Sequence, residues 1–148
     1  MKACITLGLF AALCLAAQAA TPEQEKAFVA SYKKALESND TKALAAFLHT
    51  EGASKDTIEF FTMMQTMEAG KKVASIELVT PSKEDMAKFN KPMEMPDGKK
   101  YVMPFQPTKQ LVIVIEEKAG DSSGKSTSKS PVGEVKGKLV IPVPVPAK

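Results

Sequence analysis

The sequence predicts an α+β fold in which helices come first and antiparallel strands follow. Helix-start signatures at Thr21, Asp40 and Ser54 each precede apolar residues at helical spacing. Beyond Gly70 the period drops to two, and "VASIELVT", "KQLVIVIEEK" and "EVKGKLVIPV" read as strands. The 148 residues, less a leader, make one domain large enough to bury roughly two-thirds of its surface.

Residues 1–19 read as an export signal. Lys2 supplies the positive end, "ACITLGLFAALCLAA" the apolar run, and "AQA" (Ala17 to Ala19) a small-x-small cleavage site. The apolar run lies at the lower end of the roughly 17–25 residues a membrane span needs. Leu13, just ahead of Cys14, is too bulky for a lipidation site. The expected product is an exported chain, periplasmic or extracellular, with a single domain over residues 20–145. Both cysteines, Cys4 and Cys14, fall in the leader, so the mature chain is cysteine-free and its stability must come from its core.

The elements follow in order. Thr21, Pro22 and Gln24 form a capping box with proline at the first helical position, and Phe28, Tyr32, Ala35 and Leu36 recur on one face of a helix ending near Ser38. Asp40 caps a second helix whose apolar stripe is Ala43, Leu44, Phe47 and Leu48, before Gly52. Ser54 caps a third, with Ile58, Phe61, Met64 and Met67 as buried positions and Gly70 as its stop. In the strand that follows, Ala74, Ile76 and Leu78 share a face. Ser82 and Asp85 start a helical turn over "KEDMAKF", and the Pro-Asp-Gly of "MEMPDGKKYVM" makes a hairpin. "KQLVIVIEEK" and "EVKGKLVIPV" are expected to pair as an antiparallel ribbon, the second alternating Val135, Leu139 and Ile141 against Glu134, Lys136 and Lys138. The Gly/Ser/Lys-rich residues 119–133 between them read as a flexible loop. The ending "IPVPVPAK" suits an edge strand fading into an extended tail.

Several activities are excluded by what the residues lack. "GDSSGKST" resembles the phosphate loop G-x-x-x-x-G-K-S/T, but three residues separate Gly120 from Gly124 where four are required, and no helical pattern follows. No nucleotide and no cofactor is therefore expected. The net charge of +3 falls to +2 without Lys2, and all 20 basic residues are lysine, so the bidentate arginine contacts that read phosphates and bases are absent. Nucleic acid is not an expected partner. The lysines of "KK" at Lys71 and Lys99 and along "EVKGKL" read as a solvated face. His49, at the end of the second helix, favours the helix dipole. With no cysteine and a lone histidine, soft-metal sites are not expected. The pairs Glu84/Asp85 and Glu116/Glu117 lack calcium-loop spacing and read as surface charge. Met63, Met64, Met67, Met86, Met93, Met95 and Met103 are core filler or the lining of a soft apolar pocket. Asn39-Asp40-Thr41 is a glycosylation sequon, relevant only in a host that glycosylates exported chains.

"SYKKALESNDTKALAAFLHTEG" resembles the opening of the nuclear transport factor 2-like fold: a helix ending A-L-x-x-x-D, a short A-L-x-x-x-L helix, then a polar turn. The resemblance covers residues 25 to 52, and the short strand that this family usually places between its second and third helices is not evident in the sequence. It implies N-terminal helices packed on a curved antiparallel sheet around a conical pocket, and in many members a homodimer through the exposed sheet face. Ketosteroid isomerases belong to this family, and by that resemblance Tyr32 matches their enolate-binding tyrosine and Asp56 their catalytic base. Their second carboxylic acid has no match in "YVMPFQPTKQLVIVIEE". The expected function is a non-catalytic binding or interaction domain holding an apolar small molecule in a pocket lined by Phe28, Tyr32, Phe61 and Met64, or meeting an envelope protein through its basic strand face. The alternative is a small isomerase or lyase acting on an apolar carbonyl compound, with Asp56 as base and Tyr32 as acid.

Overall fold

A computed structural model describes residues 19–119 and 122–148, and gives no side-chain detail from 118 to 123. The expected export signal, Ala19 apart, and the Gly120-Asp121 start of the phosphate-loop-like stretch lie outside the described residues. The fold is α+β, with helices N-terminal and a curved, largely antiparallel sheet.

Helix α1 spans Pro22–Glu37 and is set by its predicted cap: the Thr21 hydroxyl accepts from the Gln24 N–H, and the Gln24 side chain accepts from the Thr21 N–H at 2.8 Å. Its inward face is Phe28, Tyr32, Ala35 and Leu36. Asn39, at φ 55°, turns the chain, and Asp40 caps α2, Thr41–Ala45. This helix is shorter than its apolar stripe suggests, because Leu48–His49 is a strand, β1, parallel to a C-terminal strand. The Ile141 N–H donates to the Phe47 carbonyl at 2.8 Å and the Val143 N–H to the His49 carbonyl at 3.0 Å. Those two bonds hold the backbone extended where local spacing favoured helix. His49 therefore lies on a strand, its ring edge-on to Phe105 at 5.3 Å, and does not end a helix.

Helix α3, Lys55–Thr66, is capped by Ser54 as expected, but its inward face differs. Thr57 is buried, Ile58 and Phe61 pack against the core, and Met64 and Met67 are exposed. The reason is helical geometry. At about 100° per residue, the nine residues from Ile58 to Met67 place them on opposite sides of the helix. A stripe advancing in steps of three drifts off its face, whereas Ile58, Phe61 and Gln65 keep to it.

Strand β2, Val73–Val79, is followed by α4, Lys83–Phe89, with Ser82 as its cap. A bulge in β2 between Val73 and Ser75 puts Val73, Ile76 and Leu78 toward the core and leaves Ala74 exposed, where simple alternation places Ala74 inward. Next comes the hairpin of β3, Met93–Glu94, and β4, Lys100–Val102, with Gly98 at φ 73° in its turn. Strand β5 spans Lys109–Ala119 and β6 spans Ser122–Val135. Strand β7 is Lys138–Pro142 and β8 is Val145–Pro146.

The serine-rich stretch is thus corrected from a flexible loop over 119–133 to strand β6, in register with β5 from Lys109↔Val132 to Ala119↔Ser122. Opposite the core residues Leu111, Ile113 and Ile115, β6 supplies Ser130, Ser128 and Ser126, and its lysines and Thr127 fall on the other face. The segment "EVKGKLVIPV" is likewise a hairpin: Lys136 and Gly137, both at positive φ, turn β6 into β7. Strand β5 therefore pairs with β6, and β6 separates it from β7, in the order β1-β7-β6-β5-β2.

The proline-rich ending does finish in an edge strand, β8, but the residues leading into it are anchored and not a loose tail. Pro142, Val143 and Pro144 are fully buried, and β8 joins β4 and β3 in a second, three-stranded sheet. Because the β6–β7 ladder ends at Gly133↔Val140, Pro142 and Pro144 fall where no further N–H is demanded on that side. One hydrophobic core gathers the inward residues of α1, Leu44, Leu48, Val73, the three β5 residues, Val132, Ile141 and Val143.

Candidate functional site: a groove between α1 and β2

The inward face of α1 is occupied by its aromatic residues, so its flank is what meets β2. Pro22, Glu25, Lys26, Val29 and Ala30 follow the i, i+3, i+4, i+7, i+8 rhythm of one helix side, and they face Glu77, Leu78 and Val79. The groove between them has a volume of about 510 Å³. Its walls are mainly apolar, with Lys26, Glu25 and Glu77 supplying charges of both signs. Strand β2 has only β5 as a sheet neighbour, which leaves this side of the sheet open. Glu25 also pairs with Lys109 of β5 at 2.9 Å, both side chains partly buried, and so ties the helix to the sheet beside the groove.

The four residues expected to line a pocket are placed differently. Phe28 and Tyr32 are core residues, their rings packed with Phe47 at centroid distances of 5.3 and 5.0 Å. Phe61 is half-buried against the core and Met64 is exposed. None of the four lines the groove. The interior beside α1 is filled by rings.

The structure does not assemble the acid–base pair. The Tyr32 hydroxyl accepts from the Gln65 side-chain N–H at 3.4 Å, and burial pushes its pKa up to about 12, with the hydrogen bond opposing and the nearby Glu68 charge adding. Asp56 is exposed on the first turn of α3, nine residues from Gln65, or about 13 Å along the helix axis. A base there cannot share a substrate carbon with a hydroxyl held at Gln65. Close by, the Ser128 hydroxyl donates to Glu68 at 3.0 Å, and the Gln65 side-chain oxygen is buried without a hydrogen-bond partner.

Four further carboxylates, Asp85, Asp97, Glu116 and Glu117, make contacts that serve the fold. Asp85 lies beside Lys129 at 3.5 Å and joins α4 to β6, while its hydrogen bond from Ser82, then the Lys129 charge, hold it below the usual carboxylate range. Glu116 pairs with Lys72 at 2.9 Å and Glu117 with Lys71 at 3.8 Å. Asp97 accepts from the Lys99 N–H and the Tyr101 hydroxyl, which lower its pKa and close the β3–β4 turn. Among the described residues no group of three histidine, cysteine or acidic side chains could hold a metal ion, and no helix is long and apolar enough to cross a membrane.

The sequence singles out none of Val29, Ala30 and Val79, and it marks Leu78 only as part of a strand face. The helical rhythm of residues 22, 25, 26, 29 and 30 was legible, but nothing local announces that β2 stops short of that flank. No family model, curated protein or solved structure matches this chain.

Proposed function

We propose that this chain is a small exported, non-catalytic binding domain of the nuclear transport factor 2-like type, which takes an apolar small molecule in the groove between α1 and β2. The groove itself carries the reading: an apolar cleft of about 510 Å³, open along an edge strand and rimmed by Lys26 and Glu77. Its size and lining suit a ligand with an apolar body and a polar end. The strand β1 between α2 and α3 supports the fold resemblance, since that family usually has one there. The separation of Tyr32 from Asp56 weighs against the isomerase alternative.

The test is native mass spectrometry of the mature protein, gently isolated from its host, alongside binding of the fluorescent probe 1-anilinonaphthalene-8-sulfonate. Ala30 is exposed, lies in the groove wall and sits mid-helix, so Ala30→Glu should leave the thermal midpoint unchanged while placing a carboxylate in the cleft. Loss of the retained molecule and of probe fluorescence in Ala30→Glu is expected. Retention of both would move the site elsewhere. Met64→Gln, on α3, should have no effect on either.

A further inference from the structure

Among the described residues, the exposed large hydrophobic side chains are three methionines at the C-terminal end of α3: Met63 at 53%, Met64 at 49% and Met67 at 61% exposure. They are not filling the core, because the inward side of this helix belongs to Thr57, Ile58, Phe61 and Gln65. We infer that Met63, Met64 and Met67 form a thioether site for a soft monovalent cation, Cu(I) or its analogue Ag(I).

The spacing allows it. Met63 and Met67 stand at i and i+4, and Met64 and Met67 at i and i+3, the two separations that make side chains neighbours on a helix surface, with roughly 5–6 Å between Cβ atoms. Each side chain is unbranched with three rotatable bonds, so three sulfurs can converge on one ion without moving the helix. The expectation of no soft-metal site weighed thiolate and imidazole. Thioether is a third soft donor, and it selects Cu(I) over the harder divalent ions.

The chemistry also sets the conditions. A thioether carries no proton to lose, so binding should persist into acid, where imidazole and thiolate sites fail. Three neutral donors leave the bound ion its single positive charge. The site's own neighbours add no competing cluster of histidine and acidic residues. Exposure of all three side chains leaves one side of the ion open, which favours rapid exchange with another donor. The assignment is independent of the α1–β2 groove.

The experiment is a chloride-free titration of the mature protein with Ag(I), followed by native mass spectrometry and by NMR of methionine methyl groups labelled with 13C. An anaerobic Cu(I) titration against bicinchoninate serves as its counterpart. A one-to-one adduct is expected, with the methyl resonances of Met63, Met64 and Met67 moving and those of Met86, Met93, Met95 and Met103 staying in place. The triple variant M63L/M64L/M67L keeps the surface apolar and the helix propensity high, so it should fold normally and lose the adduct. Absence of binding, movement of the other methionines, or an adduct that survives in the leucine variant would each overturn the assignment. The methyl map of the unaltered protein decides even if that variant folds poorly.

Discussion

Burial keeps the Tyr32 hydroxyl protonated far into the alkaline range, its pKa raised from 10.0 to about 12. The folded state thus binds this proton more tightly than the unfolded chain. The associated stability is fully present below pH 10 and is lost as pH rises toward 12. A two-unit gap corresponds to roughly 2–3 kcal/mol. Urea unfolding across that window should show the native protein losing about this much relative to Tyr32→Phe, and parallel curves would refute the linkage. The neighbouring Gln65 invites a paired change. Its oxygen is a buried acceptor without a partner, and its N–H donates only a long bond to Tyr32. Replacing both polar groups by apolar ones of similar shape, as Tyr32→Phe with Gln65→Met, should change stability by less than about 1 kcal/mol at neutral pH. The single change Tyr32→Phe leaves the Gln65 amide wholly unpaired and should cost more than the pair. A double-mutant cycle by denaturant unfolding measures the difference.

Elements were legible where their signals are local. The caps at Thr21, Asp40, Ser54 and Ser82 all accept from the backbone three residues on, so each helix start could be read from a few adjacent residues. What depends on distant partners was not legible. Strand β1 is held by bonds from Ile141 and Val143, and β6 has the serine, lysine and glycine content of a loop until the long register with β5 makes it a strand. The alternation of serine with lysine and threonine along "GKSTSKS" was its one local trace. The candidate groove suffered likewise, since five of its eight lining residues are on a helix flank and three on a strand whose edge is open only in three dimensions. Gly133 shows how tightly β6 is engaged. A Cβ there would collide with the Phe105 ring, which in turn meets His49 of β1 edge-on. Gly133→Ala should therefore destabilise the protein by about 1–3 kcal/mol, and Phe105→Leu in the same chain should recover part of that loss in thermal unfolding. An alanine variant as stable as the parent would mean the ring moves aside freely.

At the scale of the whole molecule, the C-terminal residues join the two sheets. Strand β7 lies inside the five-stranded sheet between β1 and β6, and only two residues, Val143 and Pro144, separate it from β8 in the three-stranded sheet. Both linking residues are buried, and β8 holds β4 through Tyr101↔Pro146, Val102↔Val145 and a bond from the Ala147 N–H to the Lys100 carbonyl at 2.9 Å. Val145 also sits against Gly52, so the clasp reaches the turn after β1. The β3–β4 hairpin has just a two-pair ladder of its own, and an isolated hairpin of that length is not stable in water. Its order should therefore come from β8. Truncation after Pro144 leaves the five-stranded sheet and its core residues intact while removing that support. Hydrogen exchange should then show loss of protection across Met93–Val102, with β5 and the paired part of β6 still protected and cooperative unfolding retained. Protection of Tyr101 and Val102 that survives truncation would show that the hairpin is held by its Asp97 turn and its packing alone. Global loss of protection would instead make the C-terminal clasp part of the cooperative core.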